Sequence, residues 1–294
     1  MDISAENILR QAIFDHLDEM VRDTGIVTRQ QLQEFSVDGE IHRLIDHSRG
    51  IRNPKAMLAT LSILSNPKGR YADEELTESL FSYAYREGST AGDNRKLRRA
   101  YELQLPFILL RKIDTGVFFP VFPVYAVADD PENRRFLIAL DKSLLSIDDP
   151  LHLRPLERRY AERVTKQRLH QPEFRGRVLH AYGVQCTVCN LKHGGLLDAA
   201  HIIADTKPHG SAEVDNGLSL CKIHHAAYDL NFLGISPDYE VKINETLLEE
   251  KDGPMLRHGL QAMHGRTISL PSKRSDKPSR ERLSERFEEF IAAH

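Results

Sequence analysis

An α+β chain in two parts is predicted: a curved sheet with helices in the first half, and a compact strand–strand–helix module in the second. Three observations carry this. Strand-like runs rich in β-branched and aromatic residues crowd into residues 66–140. Helical periodicity brackets that region on both sides. All three cysteines, Cys186, Cys189 and Cys221, fall within the stretch 178–243.

Taken in order, residues 8–21 repeat apolar positions at Ile8, Ala12, Ile13, Leu17, Met20 and Val21, a helical stripe with Asp2 or Ser4 placed to cap it. Thr28 reads as the cap of a second, short helix. LFSYAY, PFILLRKI, VFFPVFPVYAVA and RFLIAL are the strands, punctuated by Gly, Asp and Pro and interrupted by a helix over residues 94–103. Together they describe a curved sheet or barrel over residues 1–150. Residues 151–177 form a basic helical linker, and residues 178–294 the second domain with a helical extension. PSKRSDKPSR, at 271–280, has the composition of a flexible segment. A closing amphipathic helix then carries Leu283, Phe287 and Ile291 on one stripe.

The bulk properties exclude several classes. With 294 residues, 40% hydrophobic and 28% charged, the chain is long enough for two globular domains. Its apolar runs are too short or too broken to span a bilayer, so no membrane partner is expected. The first twenty residues mix acids into a helix and lack the basic start and apolar core of a signal peptide, which points to the cytoplasm. Net charge is −3, with residues 1–150 at −5 and residues 151–294 at +2. Within 154–177, eight Lys or Arg stand against three Glu. That stretch is either a solvated helix face or a track for a phosphate backbone.

Three cysteines in such a chain do not make a disulfide scaffold. Cys186 and Cys189 are three apart in a turn, and Cys221 and His224 three apart where a strand-like run becomes a helix. Two such pairs supply four soft ligands in the spacing of a closed, structural zinc site. The zinc would stand in for the hydrophobic core that so small a module lacks.

Between the pairs lies LLDAAHIIADTKPHGSAEVDNGLSL, continuing into CKIHHAAYDLNFLGI: strand, loop, strand, helix. This arrangement resembles the HNH, or ββα-metal, nuclease family over roughly residues 180–240. The residues matching its His…Asn…His motif are His201, Asn216 and His225. The resemblance implies His201 as general base, Asn216 as a brace of the loop and His225 as ligand of a catalytic divalent ion, with Mg²⁺ or Mn²⁺ expected and Co²⁺ or Ni²⁺ compatible. A neutral imidazole takes a water's proton near neutral pH, which is why the chemistry wants histidine there. Adjacent helical residues are turned about 100° apart, so His224 faces zinc while His225 faces the cleft. Many such sites carry Asp or His directly before the base; here that residue is Ala200. Asp198, on the same strand face as Ala200, is the substitute ligand, or else it only orients His201 or caps the hairpin. Tyr228, Asp229 and Asn231 either help position phosphate or are simply packed and solvated.

The segment from Gly69 to Ile113 is similar to the SRA domains (PUA-like), which bind DNA and flip a modified cytosine into a pocket. Tyr71 precedes Asp73 and Glu74, Tyr83 sits in FSYAY, Gly88 and Gly92 flank a loop, and NRKLRRAYE follows. The resemblance implies that Tyr71 and Tyr83 sandwich the flipped base, that Asp73 or Glu74 accepts from the cytosine amine, and that Arg86, Arg95 and Arg98 contact DNA. Read without it, both tyrosines belong to an ordinary β core. The whole then resembles modification-dependent restriction endonucleases: double-stranded DNA carrying 5-methylcytosine or 5-hydroxymethylcytosine is the expected partner, and a homodimer is expected if both strands are to be cut. The alternatives are an HNH endonuclease directed by sequence or structure, and a non-catalytic zinc-containing DNA-binding module.

Overall fold

The computed structural model describes the chain except Met1, Ser48, residues 67–74, 77–79 and 86–93, and His294; of Glu75 and Leu76 it describes the backbone alone. The chain divides into two compact units, Met1–Pro172 and Glu173–His294. The division falls inside the stretch 151–177 expected as a linker.

In the first unit the helix Ile3–Val21 starts on Asp2, whose Oδ1 accepts from the Ala5 N–H at 2.8 Å. Its buried face is Glu6, Arg10, Ile13, Phe14 and Leu17, whereas Ile8 is exposed, so the stripe is rotated from the one the apolar residues suggest. The cause is an ion pair. Arg10 donates to Glu6 at 2.6 Å and to the carbonyls of Thr60 (2.9 Å), Ala59 (3.2 Å) and Pro106, while Glu6 accepts from the Leu58 N–H at 2.5 Å. A charge pair whose lone pairs and protons are all engaged is tolerable in a core, and it draws its helix face inward. Burial pulls the Arg10 guanidinium below its ordinary range, against the attraction of Glu6. Thr28 caps Arg29–Gln33 in a reciprocal box with Gln31, as the sequence indicates.

The sheet runs in the order Ile51–Arg52, Ser62–Ser65, Phe107–Asp114, Val117–Asp130, Arg135–Ala139, Leu80–Ala84, Glu75–Leu76, with Val27–Thr28 also on the long strand. Among the described residues every pairing in this sheet is antiparallel except Ser62–Ser65 with Phe107–Asp114. The 14-residue strand Val117–Asp130 is the pivot. Its register against Phe107–Asp114 shifts between Phe107 and Leu109, opposite Phe122 and Pro123, and such a bulge bends and twists a strand. The sheet curls into a half-barrel.

Both faces are covered, which is why PFILL reads as a continuous apolar run. Phe107 and Leu109 join Leu97 and Ala100 of the helix Asn94–Leu103 in one cluster, and Ile108 and Leu110 join Ile13, Phe14 and Leu17 of the first helix in another. Further along, Phe136 and Ile138 belong to the first cluster, while Leu137 and Ala139 meet Ala161 and Val164 of Pro155–Thr165.

The second unit is built on the hairpin Leu197–His201 and Gly217–Cys221, followed by the helix Lys222–Asp229. A second hairpin, Leu233–Ile235 with Val241–Ile243, and the closing helix Arg280–Ala292 pack around it. Leu197, Leu218, Leu220, Ile235, Val241 and Leu283 share one core. The expectation that a metal replaces a missing core is thereby corrected: the unit extends well beyond the cysteines and has an apolar core of its own. Residues 271–280 are not a loose segment either. Tyr239 donates to the Pro278 carbonyl at 3.1 Å, and the Ser279 N–H to that of Asp215 at 2.9 Å. On the last helix Leu283 and Phe290 are buried and Ile291 is exposed, because Phe290 lies where a side chain on Gly234 would stand, 2.6 Å from its Cβ position. Among the described residues no helix is long and apolar enough to cross a membrane.

Candidate active site and metal centre

The hairpin register places Asp198 opposite Leu220, Ala200 opposite Leu218 and His201 opposite Gly217. Its second strand ends on Cys221, which also begins the helix, so one turn of chain delivers Cys221, His224 and His225 together.

Cys186, Cys189, Cys221 and His224 bring their ligand atoms within 4.8 Å of one another. Cys189 Sγ and Cys221 Sγ are 4.0 Å apart, and His224 Nδ1 is 3.1 Å from Cys221 Sγ and 3.5 Å from Cys186 Sγ. A zinc–thiolate bond of about 2.3 Å gives a tetrahedral edge of about 3.8 Å, so the cluster has the size that zinc requires. His224 Nε2 donates to the Gly259 carbonyl at 2.7 Å, which fixes the proton there and turns the free Nδ1 lone pair on the sulfurs. The hydrogen bond to Cys186, with burial, pushes the Cys221 thiol up to about 11, and the same bond holds Cys186 below the ordinary thiol range. Three thiols this close become thiolates together only around a cation, and the donor set fits zinc.

The second cluster lies beside the first. Asp198 Oδ2 is 3.6 Å from His225 Nδ1, and Asp229 Oδ2 is 3.4 Å from His225 Nε2. One imidazole thus stands between two carboxylates, Asp198 on its Nδ1 side and Asp229 on its Nε2 side, each partly open to solvent, so an ion on either ring nitrogen would meet only one of them. Lys222 Nζ also sits 2.5 Å from Asp198 Oδ2, and Arg175 Nε 3.7 Å from Oδ1. Residues 186–236 match the family model described as HNH endonuclease.

The second unit carries an HNH endonuclease domain. No curated protein matches the chain. Among solved structures, the modification dependent TagI restriction endonuclease is similar across 89% of this chain and 90% of that one, at 14% identity and a TM-score of 0.29, too low to establish a common fold.

Within the HNH domain, Asn216 is fully buried and braces the loop between the strands. It accepts from the Ile203 N–H and donates to the carbonyls of Ile203 and Ser211, all at 2.9 Å. His201 lies on the alternate set of strand positions from Asp198, its ring stacked on Phe174 at 4.0 Å between centroids. Tyr228 is fully buried beneath Arg286, so it is packed rather than turned to phosphate, and the side chain of Asn231 accepts from Arg286 at 2.5 Å. Phe174, Arg175 and Lys222 were not singled out by the sequence. Lys222 left a signal as the residue next to a ligand cysteine, and Arg175 as one of the cations in the basic stretch 154–177.

In the first unit, Tyr71, Asp73, Glu74 and Arg86 lie outside the described residues. Tyr83 is 2% exposed, inside the core cluster, and its hydroxyl donates to the Gly50 carbonyl at 3.3 Å. Arg95 is exposed. Arg98 is paired with Asp129, which also accepts from the Tyr85 hydroxyl; burial, then Asp130, push the Asp129 carboxyl up.

Proposed function

We propose that this chain is a divalent-metal-dependent DNA endonuclease whose first half, residues 1–150, is an SRA-like domain directing it to DNA with modified cytosine, so that it restricts foreign DNA. The observation that carries the nuclease reading is the convergence of Asp198 and His225 at 3.6 Å on a hairpin–helix whose base is a zinc-sized cluster. His225 and Asp198 hold the catalytic ion, which supplies charge relief at the phosphate and at the leaving oxygen. His201 takes the proton of the attacking water. Asn216 keeps the loop closed, and Cys186, Cys189, Cys221 and His224 hold a structural zinc. Tyr71, Asp73 or Glu74, Arg86, Arg95 and Arg98 form the modified-base reader, with Tyr83 held in the core, and two chains meet to cut both strands.

One observation favours a second reading, an HNH endonuclease directed by sequence or structure alone. Tyr83 is buried, and a stacking platform needs an open face. Nicking of supercoiled plasmid with and without 5-methylcytosine, in Mg²⁺, Mn²⁺ or chelator, separates the two. Metal-dependent cutting of methylated plasmid only is expected, with His201→Ala slower by about 10²–10⁴-fold. Equal cutting of both plasmids transfers the chain to the second reading; wild-type cutting by His201→Ala removes the HNH mechanism.

A further inference from the structure

We infer that Phe174 is a positioning residue for His201, and that Gly217 is glycine so that Phe174 can reach it. This rests on the reading of His201 as general base.

The two rings stack at 4.0 Å with planes 13° apart, nearly face to face. Histidine's second side-chain torsion has a broad, shallow profile, so the chain itself does little to fix the plane of the ring. A general base must keep one nitrogen within about 2.6–3.2 Å of the proton it takes, so the plane matters. A flat partner restricts that swing, which an aliphatic neighbour of equal size does not.

The platform is tied to the same strands that carry the base. Phe174 is 3% exposed, on the helix Gln171–Ala181. Its neighbour Arg175 donates to the carbonyls of Gly194 and Leu197 at 2.9 Å each, and Tyr182, at the end of that helix, donates to the Gly217 carbonyl at 3.2 Å. Gly217 is the residue directly opposite His201, and opposed residues point to the same face. A Cβ there would lie 2.4 Å from Val178 Cγ2 and 3.0 Å from Phe174 Cζ. The missing side chain leaves space that Val178 and the edge of the Phe174 ring fill.

The test is a double-mutant cycle on the full chain with zinc content monitored, using single-turnover nicking in Mn²⁺ of whichever plasmid, methylated or not, the wild type cuts. Phe174→Leu is expected to lower kcat about ten- to a hundredfold through misplacement of the base, with KM and zinc unchanged. In the His201→Ala background the same substitution should cost nothing further, because the group it acts through is gone. In histidine-labelled protein, the His201 ring protons should resonate upfield from the Phe174 ring current and lose that shift in Phe174→Leu. Gly217→Ala should give the same loss of kcat. If Phe174→Leu loses zinc, Phe174→Met, whose unbranched chain adapts to the same space without a ring, takes its place. Equal losses in both backgrounds, a wild-type kcat for Phe174→Leu, or an unchanged ring-proton shift overturn the inference. Wild-type cutting by His201→Ala overturns the base reading instead, and this inference with it.

Discussion

Replacing Asn216 with alanine removes three hydrogen bonds from a fully buried position: one accepted from the Ile203 N–H and two donated, to Ile203 and Ser211. The Ile203 amide is left buried without that acceptor, at about 1–3 kcal/mol, and each carbonyl loses a bond worth about 0.5–1.5 kcal/mol net. The expected destabilisation is therefore about 2–6 kcal/mol, a large share of the stability of one unit. Asn216→Asp should be no better at neutral pH. It keeps the acceptor for Ile203 but sets a carboxylate oxygen against the two carbonyls. Two compact units make a single unfolding midpoint hard to interpret, so the assay is hydrogen exchange at the Ile203 amide together with zinc release in urea. Both variants should exchange Ile203 faster and release zinc at lower urea, and cleavage should fall in step. If Asn216→Ala keeps wild-type exchange and zinc retention yet cuts slowly, the brace is wrong and Asn216 belongs to the chemistry.

The metal sites give two further predictions. The purified chain should contain one zinc, and Cys186→Ala or Cys221→Ala should lose it and destabilise the second unit, since binding and folding of such a site are coupled; elemental analysis finding no zinc in the active wild type would refute the site. Asp198→Asn should weaken Mn²⁺ binding in DNA-free protein at least about tenfold, the least that loss of a ligand costs when its outer partners alone are worth that much. Unchanged Mn²⁺ affinity would leave Asp198 as an orienting group beside Lys222 and Arg175.

Much of the candidate site was legible because its signals are local. Cys186–Cys189 and Cys221–His224 are each three apart, and one strand-to-helix junction turns neighbouring residues to different clusters. The Asp2 and Thr28 caps satisfy backbone groups within their own first turns, so short-range sequence suffices for them. Continuous apolar runs such as PFILL specify strands covered on both faces.

What only the tertiary structure decided are contacts made across long stretches of chain. Ser62–Ser65 pairs in parallel with Phe107–Asp114, and neither strand's composition names its partner. Glu6 and Arg10 are no part of the apolar stripe of their helix, and both are buried because the carbonyls of Ala59, Thr60 and Pro106 close around Arg10. Tyr83 has the composition of a pocket aromatic and the surroundings of a core one. Phe174 meets His201, and Phe290 meets Gly234, where packing demands a ring against a missing side chain. Spacing along the chain specifies which ligands converge within one turn or hairpin. Which ring lies under a histidine depends on distant segments filling space at crystal-like density, and no local pattern encodes that.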